Sequence, residues 1–334
     1  MPSSTSSFDG EVSGIGGASS AESDVPRETE VRVHRSFGKI LLFVVFFLAL
    51  DLVSFGVLLG GLERYYGLES SADVLVVGHS HTVLAVDKLA LQEATGFGIA
   101  KYARQGATVQ DRAVMVRHYL SRHPGTVKAV VFGVDAHMFS SDGLSRNSYQ
   151  LFLPFMNDAV ISEYLKEFPI SRLDLFVRQI VRTARFSEPT AGLALRGILG
   201  DWSSYKSGVV DLERLRKQLE LGKYRGVEFN EAAIDSFETM VKEVVSEGIF
   251  LVLTYFPTID LLNEINATGV SEATGRLQMY ATGSDRVVFL DYNTPYQSRH
   301  DFFFDPIHLN TDGQRLITAK LGGDLNRLLQ GGRP

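Results

Sequence analysis

Two short stretches gather the side chains best suited to chemistry: Gly78-His79-Ser80-His81-Thr82 and Asp305-Pro306-Ile307-His308. The first admits three readings. His79 and His81 have the spacing of a His-x-His metal pair, Ser80 between them could be a nucleophile, and the segment could equally be a plain loop after a strand. The second is narrower in meaning. Asp305 and His308 are three apart around a proline, so a short turn can aim both side chains the same way. An Asp accepting from His Nδ1 fixes the tautomer and leaves Nε2 free to act as a base on a serine hydroxyl at a neighbouring strand end. The metal reading is weaker. With no cysteine in the chain, it would need His, Asp and Glu, and no second His cluster follows. On an extended segment His79 and His81 would flank Ser80 on the opposite face, so neither is an obvious base; one of them is expected to line the substrate pocket.

The elements that must hold these residues alternate in type. Strand-like apolar runs stand at "DVLVVG" (73–78), "FGIAKYA", "VKAVVFGVD" (127–135), "IFLVLTYFP" (249–257) and "RVVFLDY" (286–292). Between them, helical spacing occurs at 86–95, 108–123 and 230–248, and a final helix starts near Asp312, with Thr311 or Asn310 as its cap. Apolar runs without alternation belong to strands covered on both faces, and strand–helix alternation predicts a doubly wound parallel sheet with helices on both faces. The stretch from about 140 to 225 breaks the rhythm: it holds helical patterns such as "DAVISEYLKEF" and "RLDLFVRQIVRTARF" and no central strand. It reads as a helical insertion on one edge of the sheet. His118 and His123, on or just after an amphipathic helix, read as solvated.

In an open parallel sheet, ligands collect beyond the carboxyl ends of the strands. That rule selects the segment at 78–82, the segment Arg104-Gln105-Gly106, the segment Gly133-Val134-Asp135-Ala136-His137, and the loop from Asp301 to Gln314.

Upstream, residues 1–36 are rich in Ser and Gly and read as a disordered tail. Ile40–Gly61 then forms an apolar run of 22 residues whose only charge is Asp51. Such a helix is about 33 Å long against a hydrocarbon core of about 30 Å, so 37–62 is expected to be an uncleaved transmembrane anchor. Arg27, Arg32, Arg35 and Lys39 precede it, which places the N-terminus in the cytoplasm and the domain at 70–330 outside. The net charge of −6 argues against a nucleic-acid partner.

Taken together, "VVGHSHT", the glycine of "ARQGAT", "FGVD" and "DPIHLNTDGQRL" resemble the SGNH (GDSL-like) hydrolases. The likeness is to their membrane-anchored branch associated with O-acetylation of extracellular polysaccharides, and it covers roughly Ala72 to Leu328. The resemblance implies a flavodoxin-like sheet and a triad of Ser80 as nucleophile, His308 as base and Asp305 as its orienter. It also implies oxyanion donors in the Ser80 and Gly106 amides. Arg104, beside Gly106, either contacts substrate or is solvated, His81 is a candidate pocket residue, and no metal or cofactor is expected. An acyl-ester donor, a carbohydrate acceptor and a membrane-embedded acyltransferase are the partners it suggests. The pattern departs at Asp135, where the family has an asparagine that donates to the oxyanion. An ionised Asp can only accept there. The alternatives are another role for Asp135, such as gripping His137 or a sugar hydroxyl, an oxyanion hole built from backbone amides, or a catalytically impaired binding or assembly protein.

Overall fold

A computed structural model describes residues 27–331, with side chains from Ser36 onward. The tail expected over 1–36 falls outside the described residues as far as 26; from Arg27 the chain is helical, so the first helix begins earlier than the expected 37. The chain divides into two units, Met1–Ala49 and Leu50–Pro334. The described part of the first is the beginning of helix α1 (Arg27–Tyr66). Within α1, Ser36–Tyr66 is long and apolar enough to cross a membrane, with a mean hydropathy of 2.7 in its most apolar window.

The second unit is built on five parallel strands: β1 (Val74–Gly78), β2 (Ile99–Ala103), β3 (Ala129–Val134), β4 (Phe250–Tyr255) and β5 (Val287–Asp291). Their spatial order is β2-β1-β3-β4-β5. Val74 pairs with Ile99 on one side and Ala129 on the other, and Ala129 pairs in turn with Phe250. β1 and β3 are buried along their whole length, as the unbroken apolar runs require.

Alternate residues of each strand feed two cores. Leu75, Val77, Val130 and Phe132 face one, and Val74, Val76, Ala129 and Val131 face the other. After β1 come α2 (Ser80–Ala85) and α3 (Lys88–Thr95), and after β2 comes α4 (Val109–Arg122). Five helices follow β3: α5 (Arg146–Phe152), α6 (Ala159–Lys166), α7 (Arg172–Ile180), α8 (Glu188–Leu199) and α9 (Leu212–Glu220). Then α10 (Glu231–Ser246) leads into β4, α11 (Asp260–Ile265) and α12 (Ala267–Thr282) separate β4 from β5, and α13 (Asn293–Tyr296) follows β5. A small antiparallel pair, β6 (Phe303–Asp305) and β7 (His308–Leu309), precedes the last helix α14 (Thr311–Leu329). α4, α5, α6 and α10 pack on the first core; α3, α9 and α14 pack on the second.

The helical insertion is present: it leaves from the end of β3, the middle strand, and β4 resumes the sheet after it. One expectation needs correction. His118 is not solvated. It is fully buried, its Nδ1 3.1 Å from the Tyr102 hydroxyl, because nearly every residue of α4 is enclosed between the sheet and the insertion.

Candidate functional site

Ser80 opens a helix instead of lying on an extended segment. His79 caps α2: its ring Nδ1 accepts from the His81 amide at 3.1 Å. The far end of α2 is clamped by Lys101, whose ammonium donates to the carbonyls of Val83 and Val86, and by Gln314, which donates to Leu84 O. Burial pushes Lys101 down to about 7. The two strand-end glycines are there to admit Thr82. A Cβ on Gly78 or Gly133 would meet the Thr82 hydroxyl oxygen at 1.8 or 2.0 Å, so neither position tolerates a side chain. This brings the start of α2 down between β1 and β3, over their carboxyl ends.

The proton positions on the paired histidines follow from their partners. Since His79 Nδ1 accepts from a backbone amide, its Nε2 carries the proton, and it donates to Asp135 Oδ2 at 2.5 Å. His81 Nδ1 lies 3.2 Å from the same His79 nitrogen. Both His79 nitrogens are thus engaged in hydrogen bonds. The two rings meet edge to face at 4.6 Å beside the helix start. Burial holds both rings below the ordinary histidine value, against the pull of Asp135.

Asp135 does not offer a free carboxylate. Oδ2 takes the His79 proton and Oδ1 accepts from the His137 amide at 2.8 Å in a tight turn after β3. Burial raises this carboxyl, but the His79 and His81 rings and the Arg112 guanidinium outweigh it and hold Asp135 well below the usual range. Arg112 itself is buried on α4, donating to Gly133 O and Thr108 O, and it lines the cleft. In the sequence it is one charge among several on an amphipathic helix, and nothing there singles it out.

Asp305 and His308 face each other across the β6–β7 turn. Asp305 Oδ1 accepts from the Ile307 and His308 amides, both at 3.0 Å, an Asx turn with proline in its second position. Oδ2 lies 2.8 Å from His308 Nδ1. Burial pushes the Asp305 carboxyl up, but the bond from His308 and the two turn amides prevail and keep it below the ordinary value. The opposite nitrogen, His308 Nε2, is buried without a partner among the described residues. The turn is anchored by Phe303, fully buried, and by Asn310, which caps α14 by accepting from Asp312 and Gly313 while donating to Gly208 O and Asp301 O. β7 packs directly on α2, and the His308 and His81 rings are 5.5 Å apart.

A cleft of about 580 Å³ opens beside these groups, lined by His79, Ser80, His81, Gly106, Arg112, Asp135, Tyr255 and Asp305 among others. Gly106 adopts φ +72°, which lets its backbone turn into the cleft after β2. Neither Arg104 nor His308 is among the residues lining this cleft; the Arg104 amide continues the sheet by bonding to Gly78 O, and its guanidinium charge bears on the Tyr66 hydroxyl. No hydrogen bond joins Ser80 to His308 among the described residues, although the elements that carry them are in contact. The chain matches no protein-family model and no curated protein.

Proposed function

We propose that the chain is a serine esterase or O-acyltransferase, anchored by α1, that acts on acyl esters of an extracellular or cell-envelope polysaccharide. The observation that carries this reading is the Asp305–His308 pair, whose outer nitrogen is buried and unpartnered on a strand packed against the helix that Ser80 begins. A buried imidazole nitrogen without a partner is costly unless a reacting group uses it. Ser80 attacks the ester carbonyl, His308 takes its proton and later returns it to the leaving alcohol, and Asp305 orients the imidazole. Catalytic hydrogen bonds absent from a ligand-free site form as substrate settles the nucleophile. The Ser80 and Gly106 amides are the oxyanion donors. Water or a sugar hydroxyl then resolves the acyl-enzyme.

The strand order 2-1-3-4-5 supports a flavodoxin-like reading of the sheet, in which ligands gather beyond the strand ends where this cleft opens. The cationic residues before the apolar run support a cytoplasmic N-terminus with the cleft on the outer side. There, tethering would concentrate the enzyme beside a membrane-embedded acyl donor. A second reading, a catalytically impaired binding or assembly protein, is favoured by the missing Ser80–His308 bond and by Asp135 having both oxygens engaged.

Covalent labelling of the detergent-solubilised full chain with a fluorophosphonate separates the two. Labelling lost in Ser80→Ala supports the enzyme; a folded wild type that takes no label supports the binding protein.

A further inference from the structure

Helix α7 wears its apolar side outward. Leu173, Phe176, Val177 and Ile180 recur at helical spacing and are 72, 58, 46 and 48% exposed, while Leu175 on the other side packs against the core. A surface helix in water has the reverse pattern, polar outward and apolar inward. Leu195, Ile198 and Leu199 of α8 are exposed as well.

The position of this face is fixed by α1. Asp51, inside the apolar run, accepts from the amides of Arg182 at 2.6 Å and Thr183 at 3.0 Å, and from the Thr183 hydroxyl, so the chain just beyond α7 is fastened to the middle of that run. One turn on, Phe55 meets Phe186 at 5.9 Å and lies under the Arg185 guanidinium. α8 then crosses α1 glycine to glycine: a Cβ on Gly197 would come within 1.8 Å of Gly61 O, and one on Gly61 within 2.3 Å of Ala194 O. This is a built contact that leaves no room for slippage. On the remaining sides of the same stretch of α1, Leu50, Leu52, Val53 and Val57 are half or more exposed.

We propose that α7 lies in the plane of the bilayer, its apolar stripe in the acyl region of the leaflet from which the domain emerges. This rests on the reading of α1 as a membrane span. The occupant follows from continuity: the residues of α1 that surround Asp51 face outward beside α7, and the medium that covers one covers the other. The charge fits too. Arg178 is paired with Asp174 and Arg185 is buried over Phe55, which leaves Arg172 and Arg182 at the two ends of α7 as the cations placed to meet lipid phosphates. The insertion then serves as a second foot, and α1 with α7 sets the attitude of the cleft toward the membrane surface.

The absence of cysteine makes the test clean, because any introduced cysteine is unique. Full-length Phe176→Cys, Ile180→Cys, Gln179→Cys and Phe43→Cys are each labelled with an environment-sensitive NBD dye and reconstituted into phosphatidylcholine–phosphatidylglycerol vesicles. Expected at positions 176 and 180 are blue-shifted emission and quenching by doxyl lipids at least twofold stronger than at position 179, which iodide reaches. Iodide quenching at 176 and 180 equal to that at 179 overturns the proposal. Protection from both quenchers also overturns it, since a protein then covers the face. The label at position 43 reports the span by itself: lipid quenching there with water-exposed α7 labels defeats only the in-plane helix, whereas loss of quenching at 43 defeats the span.

Discussion

His79 Nε2 donates to Asp135 Oδ2 at 2.5 Å, joining the ends of β1 and β3 across 56 positions of sequence. The bond gives the acid at position 135 a structural role of its own. Both carboxylate oxygens of Asp135 are engaged within the protein. One of its oxygens holds the ring that caps α2, and the other holds the next turn of its own loop. Its ionisation is stabilised by the His79 and His81 rings and by Arg112. The segment at 78–82 is therefore a supported helix start and not a plain loop.

Asp135→Asn is expected to weaken the protein and its activity, not to improve either. If the amide oxygen stays on the His137 amide, the NH₂ group meets the His79 N–H, donor against donor. Turning the His79 tautomer merely moves the conflict to the His81 amide. A buried unsatisfied donor costs about 1–3 kcal/mol. Thermal unfolding should show that loss, with slower ester turnover; a faster, equally stable variant would mean that position 135 faces the oxyanion.

Stability should fall on mild acidification. Burial keeps His79 and His81 neutral in the fold below their ordinary value, whereas the unfolded chain protonates at about pH 6.5. The unfolded state then binds more protons, so stability drops as pH falls below about 6.5, by up to ~1.4 kcal/mol per pH unit for each ring. Asp135 and Asp305, held low in the fold, keep their contribution until pH falls below about 4 and then lose it. Melting temperatures measured from pH 8 to 4 should show both declines. His81→Gln should halve the first; a flat profile between pH 6.5 and 5 would contradict the burial of the pair.

Much of the scaffold was legible because its signals are local. β1, β3, β4 and β5 are unbroken apolar runs, and Asp305 and His308 are set by a four-residue turn whose Asx and proline chemistry is visible in order. The start of α2 was not legible. Thr82 and Val83 favour extended backbone, and only the fit of Thr82 between two glycines 55 positions apart makes the helix begin at Ser80. The role of Arg112 was hidden for the same reason: a buried cation reads like a surface one until the strand beneath it is in place. Arg104 was not legible either, since its nearness to Gly106 in sequence says nothing of which side of the strand end its guanidinium takes.

Asp305→Asn tests the triad with little disturbance to the fold. The retained oxygen still accepts from the Ile307 and His308 amides, so the turn survives. The NH₂ group, however, now faces His308 Nδ1 and favours the tautomer with the proton on Nε2, the nitrogen that must act as base. In serine triads that change costs on the order of 10⁴-fold in turnover. Ester hydrolysis and fluorophosphonate labelling should both collapse while the melting temperature moves little. Unchanged turnover would remove Asp305 from the mechanism and His308 with it.

Gly106→Ala separates the oxyanion amide from the fold that carries it. At φ +72° an alanine is strained by about 1–2 kcal/mol, and its Cβ would approach the Asn147 amide nitrogen at 3.0 Å, where that side chain donates to Gln105 O. Both effects push the 105–107 loop outward while the sheet beneath, fixed by the Arg104 bond to Gly78, stays in place. A displaced oxyanion donor costs about 10²–10³-fold in kcat with little change in KM. Steady-state kinetics on a soluble aryl ester should show that split together with a small drop in melting temperature. A loss confined to KM would assign Gly106 to substrate binding and leave the Ser80 amide as the remaining proposed donor.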